Sequence, residues 1–250
     1  MKIEFGVGLG RNERMSEVGE LSRVAEESGF SHATFVDQPY MSPDPMVCMA
    51  IAALHTRRIR IGQGVTDPET TNALVLGNAA ATMQELTGGR YFLGIGAGGL
   101  FGKVMKPVGA RRLREAVEFI RALTKGEEVE WNGARIRHET SRKQVPVYIA
   151  GAGRRSLELA GRIGDGAIIM GGPPEFVKLK IDTIRQAAEK AGRDPDAIEI
   201  ITRTWIYPCE SKDKARREVS GCLTQHCGLP SLDLEDPDAE TRRLLRALED

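Results

Sequence analysis

The sequence predicts an α/β fold of parallel strands alternating with helices, a TIM-type (β/α)8 barrel whose eighth strand is missing or altered and which carries a hairpin insertion near residues 127–138. Three observations lead there. Strand-length apolar runs begin near residues 2, 33, 58, 90, 145, 167 and 198. Six of these seven are followed by segments whose apolar residues recur every three or four positions, and glycines gather where the strands end. Each helix carries the chain back across the sheet in a right-handed crossover, so the strands pair in parallel. Near-equal spacing of the units favours a closed barrel over an open doubly wound sheet.

The elements follow in order. Lys2 to Leu9 is strand-like, and Met15 to Gly29 is a helix with Ser16 as N-cap and Gly29 as its stop. Ala33 to Val36 is a short buried strand; Asp44 to Leu54 is a helix with Pro45 in its first turn. Arg58 to Val65 is strand, Asn72 to Leu86 helix, Arg90 to Ile95 strand and Arg111 to Leu123 helix. Between Glu127 and His138 the rhythm breaks into a polar hairpin turning on Asn132-Gly133, a dipeptide that accepts the positive φ of a tight turn. Val145 to Ala150 restarts the alternation, with helix Ser156 to Ile163, strand Ala167 to Met170, helix Pro174 to Ala191 and strand Ile198 to Tyr207. Helices over Lys212 to Leu223 and Ala239 to Leu248, with a link between them, complete the chain without an eighth strand.

Composition narrows the function. The 250 residues, 41% of them apolar, suffice for one domain spanning 1–250. Thirty-five basic residues balance thirty-five acidic ones, so no net field gathers nucleic acid or an anionic membrane. No apolar run approaches the roughly 20 residues of a membrane span, and Met1 opens directly into a strand, which predicts a cytoplasmic protein. Cys48, Cys209, Cys222 and Cys227 form no C-x-x-C pair, so free thiols and no metal are expected.

In a parallel α/β fold the site forms at strand C-terminal ends, where helix N-termini point unpaired N–H groups. Those ends are Gly8 to Arg11, Asp37 to Tyr40, Gly64 to Asp67, Gly96 to Gly99, Ala150 to Arg155, Gly171 to Pro173 and Thr204-Trp205. Ala150-Gly151-Ala152-Gly153, followed by Arg154, Arg155 and Ser156, suits a phosphate: glycines admit close backbone approach and a helix begins there. The same residues also make a glycine-rich turn with solvated arginines. Gly94-Ile95-Gly96-Ala97-Gly98-Gly99 matches G-x-G-x-x-G, but no helix opens until past Pro107 and no acid ends the next strand, so the glycines read as a tight site wall. Asp37 either meets a ligand or caps its own loop. Glu4, in an apolar strand, is a proton donor or the partner of an ion pair. His32, His55, His138 and His226 all avoid the strand C-termini, which argues against a histidine base.

Several runs carry a resemblance: Asp37, Ala52 to Thr56, Arg58 to Thr66, Leu86-Thr87-Gly88-Gly89-Arg90 through Gly96, Val145 to Gly153 and Leu159 to Gly166. Together they resemble the luciferase-like flavin and deazaflavin oxidoreductases, and within them methylenetetrahydromethanopterin reductase and its coenzyme F420-dependent relatives. The resemblance implies a homodimer formed through the early helices and hydride transfer between coenzyme F420 and a small organic substrate. It further implies a cis peptide between Gly64 and Val65, and cofactor contacts at Asp37, Gly64, Val65, Thr66, Gly96, Gly98, Ala150, Gly151, Ala152 and Gly153. Glu4 and Asp37 are the implied catalytic acids. Departures are Gln38, where the family commonly has histidine, the Gly98-Gly99 pair in place of an acid, and the missing last strand. An FMN-dependent monooxygenase is the alternative, and a flavin- or F420-binding paralogue without catalysis a third reading.

Overall fold

Seven short strands carry the chain around one curled sheet. The structure, a computed structural model, describes residues 3–10, 13–39, 41–98, 107–141, 143–206 and 208–215. They form β1 (Gly6–Leu9), α1 (Val18–Glu27), β2 (His32–Phe35), α2 (Pro45–His55), β3 (Arg60–Gln63), α3 (Ala73–Leu86), β4 (Tyr91–Ile95) and α4 (Ala110–Lys125). A hairpin of β5 (Val129–Trp131) and β6 (Ala134–Ile136) interrupts, and β7 (Val147–Ala150), α5 (Arg154–Ile163), β8 (Gly166–Met170), α6 (Pro174–Lys190) and β9 (Glu199–Arg203) follow. The main sheet runs β1-β2-β3-β4-β7-β8-β9, every neighbour parallel, with the antiparallel hairpin apart. A one-turn helix at residues 212–215 opens the expected 212–223 helix. The remainder of that helix, the 229–238 link, the 239–248 helix, Cys222, Cys227 and His226 lie outside the described residues.

Local chemistry explains the boundaries. The Asp44 carboxylate caps α2 by accepting from Met46 N–H at 2.9 Å and Val47 N–H at 3.1 Å, and Asn72 caps α3 through Val75 N–H at 3.0 Å. Asn132 and Gly133, at φ 50° and 81°, turn the hairpin as their sequence predicts. Ser16 does not cap α1, as the sequence suggested. Glu17 stands at that position and turns its carboxylate back to Arg14 N–H at 3.1 Å, leaving α1 without a side-chain cap. The expected 58–65 strand is trimmed to β3, Arg60–Gln63, and the peptide between Gly64 and Val65 just beyond it is cis, as the resemblance implies.

Side chains alternate along each strand, so the sheet has two apolar faces, as buried parallel sheets do. Ala33, Phe35, Ile61, Tyr91, Leu93, Ile95, Val147, Ile149 and Ile169 face the helices and pack against Met49, Leu76, Ile120, Leu157 and Ile184. Phe92, Tyr148 and Ile168 face the other way and pack with Val65, Ala150 and Ile201 in a lumen. Four places separate β3 from β9 in the sheet, yet Arg60 reaches Glu199 at 2.7 Å, which is possible only if the sheet curls into a half-barrel.

That contact belongs to a plug at the N-terminal end of the lumen. Glu199 also lies 3.1 Å from His32 Nε2 and accepts from Tyr148 Oη, while Arg60 donates to Tyr148 Oη at 2.6 Å and lies over the Phe92 and Tyr148 rings. Burial pushes the Glu199 carboxyl up, but hydrogen bonds from His32, Tyr148 and Arg60 overcome it and hold it at about 2. A buried carboxylate so enclosed stabilises little by itself, because desolvation offsets the attraction. Its effect is to tie β9 across to β2, β3 and β7.

Lys180 is the reverse case, a buried cation with few partners. It is 1% exposed, its Nζ donates to Met170 carbonyl at 3.0 Å, and it lies 3.7 Å above the Phe176 ring centre. Burial pushes its ammonium down to about 8. The unfolded chain holds that proton more tightly, so the cost to folding is fully present below pH 8 and fades as the pH rises toward the ordinary value of 10.5. Lys180→Met should therefore stabilise the protein by about 1–2 kcal/mol at pH 7, after allowing for the orphaned Met170 carbonyl and the lost ring contact. Thermal melts at pH 7 and pH 10.5 check this: a variant no more stable than the parent at pH 7 would contradict it.

Candidate functional site

The strand ends expected to form a site converge at the C-terminal rim of the lumen, and backbone hydrogen bonds lace them together. Gly64 N–H donates to Phe35 carbonyl at 2.8 Å, Thr66 N–H to Gly94 carbonyl at 3.0 Å, Gly96 N–H to Thr66 carbonyl at 2.9 Å and Gly151 N–H to Ile168 carbonyl at 3.3 Å. The ends of β2, β3, β4, β7 and β8 thus form one continuous wall. Gly64, Val65, Thr66, Gly96, Gly98, Ala150, Gly151, Ala152 and Gly153 all stand on it, with Asp37 beside them.

Missing side chains set the width of the rim. A Cβ on Gly96 would sit 3.4 Å from both Val65 Cγ2 and Ala150 Cβ, a Cβ on Gly64 would meet Thr34 at 2.9 Å, and one on Gly62 would enter the Phe92 ring at 2.5 Å. Gly98, at φ +74°, adopts a left-handed conformation that carries the chain past the Asp67 carboxylate. Below the rim, Val65, Ile168, Ile201 and Phe92 make an apolar floor. The rim thus has glycine walls above an apolar base.

Polar groups stand at its edges. Asp37 is partly buried and faces the Thr66 hydroxyl; burial raises its carboxyl above the usual aspartate range, Thr66 pulls it back, and Asp67 and Asp44 push it further up. Thr66 Oγ1 itself is buried without a hydrogen bond of normal geometry, and so is Gln38 Oε1. A buried oxygen left unpaired costs about 1–3 kcal/mol; Thr66 Oγ1 still has Asp37 before it, whereas Gln38 Oε1, at the end of β2, has no partner and would be satisfied by an incoming donor. At the far edge, Gly153 begins α5 without a side-chain cap, so the first-turn N–H groups of α5 remain available to an anion. Arg154 is engaged by Glu158 at 3.0 Å, while Arg155 is exposed on the same turn. A Cβ on Gly151 would lie 2.5 Å from Ser156, so only glycine lets the loop fold onto the helix start.

Glu4 does not join them. Phe5 carbonyl accepts from Ser31 N–H at 2.8 Å, which sets Glu4 level with the turn entering β2. It is exposed rather than enclosed, and it precedes Gly10 of the rim by six residues, roughly 20 Å along a strand. Glu4 thus precedes β1, away from the rim where the other expected residues stand. Sequence reasoning also missed Arg203, whose side chain reaches the mouth from β9. Its signal was the inward row Glu199, Ile201, Arg203, ending one residue before the Thr204-Trp205 pair taken as the strand end. Two clefts of about 390 and 480 Å³ lie elsewhere, one between α4 and α5 and one between α3 and the hairpin. Neither touches the strand ends. Among the described residues no His, Cys, Asp or Glu cluster could hold a metal ion, and no helix is long and apolar enough to cross a membrane.

Comparison with known proteins gives consistent matches. The family model described as luciferase-like monooxygenase matches residues 1–246. The 5,10-methylenetetrahydromethanopterin reductase of Archaeoglobus fulgidus is 32% identical over 227 residues, covering 86% of this chain and 67% of that protein. An F420-dependent glucose-6-phosphate dehydrogenase of Nocardia farcinica is 32% identical over 208 residues, covering 73% and 62%. Among solved structures, the coenzyme F420-dependent tetrahydromethanopterin reductase from Methanopyrus kandleri superposes with a TM-score of 0.79 at 26% identity, covering 94% of this chain and 75% of that one. The chain spans about two thirds of the length of the curated relatives it matches.

Proposed function

Because the chain belongs to the luciferase-like monooxygenase family, we propose that it is an oxidoreductase whose lumen mouth binds coenzyme F420 and exchanges a hydride with a small organic substrate of the methylenetetrahydromethanopterin kind. The observation that carries this reading is the glycine-walled, apolar-floored slot ending at an uncapped helix start. The deazaflavin would supply the hydride-carrying carbon; the chain supplies orientation, exclusion of water and electrostatics. Val65 and Ala150 offer the flat contact surface, with Gly64, Gly96 and Gly98 leaving room for the ring. Asp37, Thr66 and Gln38 stand where polar ring edges would come, and Ala150, Gly151, Ala152 and Gly153 lead to the α5 N–H groups that would take the phosphate. Asp37, at the rim, is the acid that would hold or move a proton there; Glu4 precedes β1, away from the rim.

FMN in a monooxygenase is the second reading, supported by the description of the matching family model. Titrating the purified chain with F420 and with FMN, followed by fluorescence, separates the two. We expect F420 to bind; tight binding of FMN alone would refute the deazaflavin assignment, and binding of neither would refute both.

Asp37→Asn should weaken ring binding roughly tenfold while leaving the melting temperature at pH 7 unchanged or higher. The raised carboxyl marks a charge that folding disfavours: its cost is absent below the unfolded value and grows as pH rises. An unaltered affinity would remove Asp37 from the site. A homodimer fits the exposed Leu21 and Val24 of α1, Val47 and Leu54 of α2, and Val75 and Leu86 of α3, which together offer an apolar surface on the early helices. Light scattering at micromolar concentration tests it. A cytoplasmic location accords with the free thiols of Cys48 and Cys209.

A further inference from the structure

One charged group at the mouth has no part in the binding scheme above. Arg203 ends β9, last in the row Glu199, Ile201, Arg203 that alternates into the lumen, and its register partner on β8 is Met170. Its Nη1 donates to the Gly64 carbonyl at 2.5 Å, so the side chain crosses the lumen from β9 to β3. The same stretch of β3 is gripped on its other sides: Gly64 N–H by the Phe35 carbonyl at 2.8 Å, Thr66 N–H by the Gly94 carbonyl at 3.0 Å. Val65, the next residue, packs on the apolar floor with Phe92 and Ile168. A partly buried guanidinium, charged at every accessible pH, therefore lies against the ledge on which a flat ring would rest.

We infer that Arg203 is a positioning residue for the redox ring: it fixes the Gly64–Val65 ledge from the opposite strand and keeps a permanent positive charge beside the ring, so that the reduced form is held more tightly than the oxidised form. This rests on the F420 or FMN reading of the mouth. Reduction of either ring by a hydride, two electrons with one proton, bonds the hydride at the central ring and leaves the negative charge on the N1–C2 carbonyl stretch of the pyrimidine; a fixed cation in a site with an apolar floor holds that anion against uptake of a second proton at N1. The carboxylate of Glu199 does not cancel it, because Glu199 lies at the other end of the lumen and is taken up by Arg60 and His32.

The test is a set of anaerobic fluorescence titrations of the purified chain with oxidised and with chemically reduced F420 and FMN, run beside thermal melts. Arg203→Met removes charge and tie together. Arg203→Gln keeps a donor for the Gly64 carbonyl but no charge, and Arg203→Lys keeps the charge. We expect the Met and Gln variants to lose roughly tenfold more affinity for the reduced ring than for the oxidised one, which is a fall of about 30 mV in the midpoint potential of the bound cofactor. The Lys variant should restore most of that difference. Equal losses for both redox forms, or none, would overturn the inference and leave Arg203 a structural tie. If the Met variant does not fold, the Gln and Lys pair still decides between charge and tie. Failure of the parent chain to bind either ring removes the functional reading and this inference with it, whereas binding with losses blind to redox state removes the inference alone.

Discussion

Gly94→Ala is expected to cost about 3 kcal/mol of stability or more, a large share of the roughly 5–15 kcal/mol typical of a folded domain. Gly94 sits on β4 with its α-carbon toward the lumen, and a Cβ there would lie 1.9 Å from the Gln63 carbonyl oxygen and 2.9 Å from Ile168 Cδ1. Ile168 could shift a little. The carbonyl cannot, because Gln63 is 1% exposed, its side chain accepts from Tyr91 Oη at 2.5 Å, and the chain just beyond it is held by Phe35 and Gly94. The methyl group must push β3 and β4 apart, breaking the bond from Thr66 N–H to the Gly94 carbonyl that closes the rim. Urea unfolding measures the loss. Gly8→Ala is the control, since its Cβ would find its nearest heavy atom at 3.8 Å and should shift stability by no more than about 0.5 kcal/mol. A Gly94→Ala midpoint equal to the parent's would mean that the two strands do not approach so closely.

Gly96→Leu should act in the opposite manner, sparing the fold and closing the site. A Cβ at Gly96 touches Val65 and Ala150 at 3.4 Å, a tight but tolerable contact, and the remaining three carbons can only project into the slot. A ring that rests on Val65 and Ala150 would then compete with leucine for the same surface. The expected loss of F420 or FMN affinity is roughly a hundredfold, near 3 kcal/mol, with a melting temperature within a few degrees of the parent's. Calorimetric or fluorescence titration gives the affinity. Unchanged binding to a folded Gly96→Leu protein would show that the ring lies elsewhere, and the slot would lose its assignment.

Local pattern and long-range contact divide what the sequence discloses from what it conceals. Apolar periodicity located the parallel strands and α1 to α6 within a few residues, since the two-residue and 3.6-residue rhythms reflect which side chains must leave water. Asn132-Gly133 disclosed the hairpin because few other pairs accept its backbone angles, while the helix expected from Ser156 begins two residues earlier, at Arg154 after Gly153. The position of Glu4 was hidden for a definite reason: alternation tells which face a residue takes but not where the strand begins, and pairing with β2 starts only at Gly6. Arg60 with Glu199, and Arg203 with Gly64, were invisible because each pair is separated by 139 residues and meets only once the sheet has curled. Ser16 failed as a cap because Glu17, one residue on, folds back to Arg14 first.

The glycine wall also limits how this protein could be altered. A gap bounded by residues that have already surrendered every atom of side chain cannot be enlarged by exchanging one of them, so point mutation can only trim the range of molecules admitted. Adapting the scaffold to bulkier guests would call for change in the greasy base, at Val65, Ile168 or Ile201, or for remodelled loops, and variants selected for broader taste should accumulate there and leave the glycines untouched.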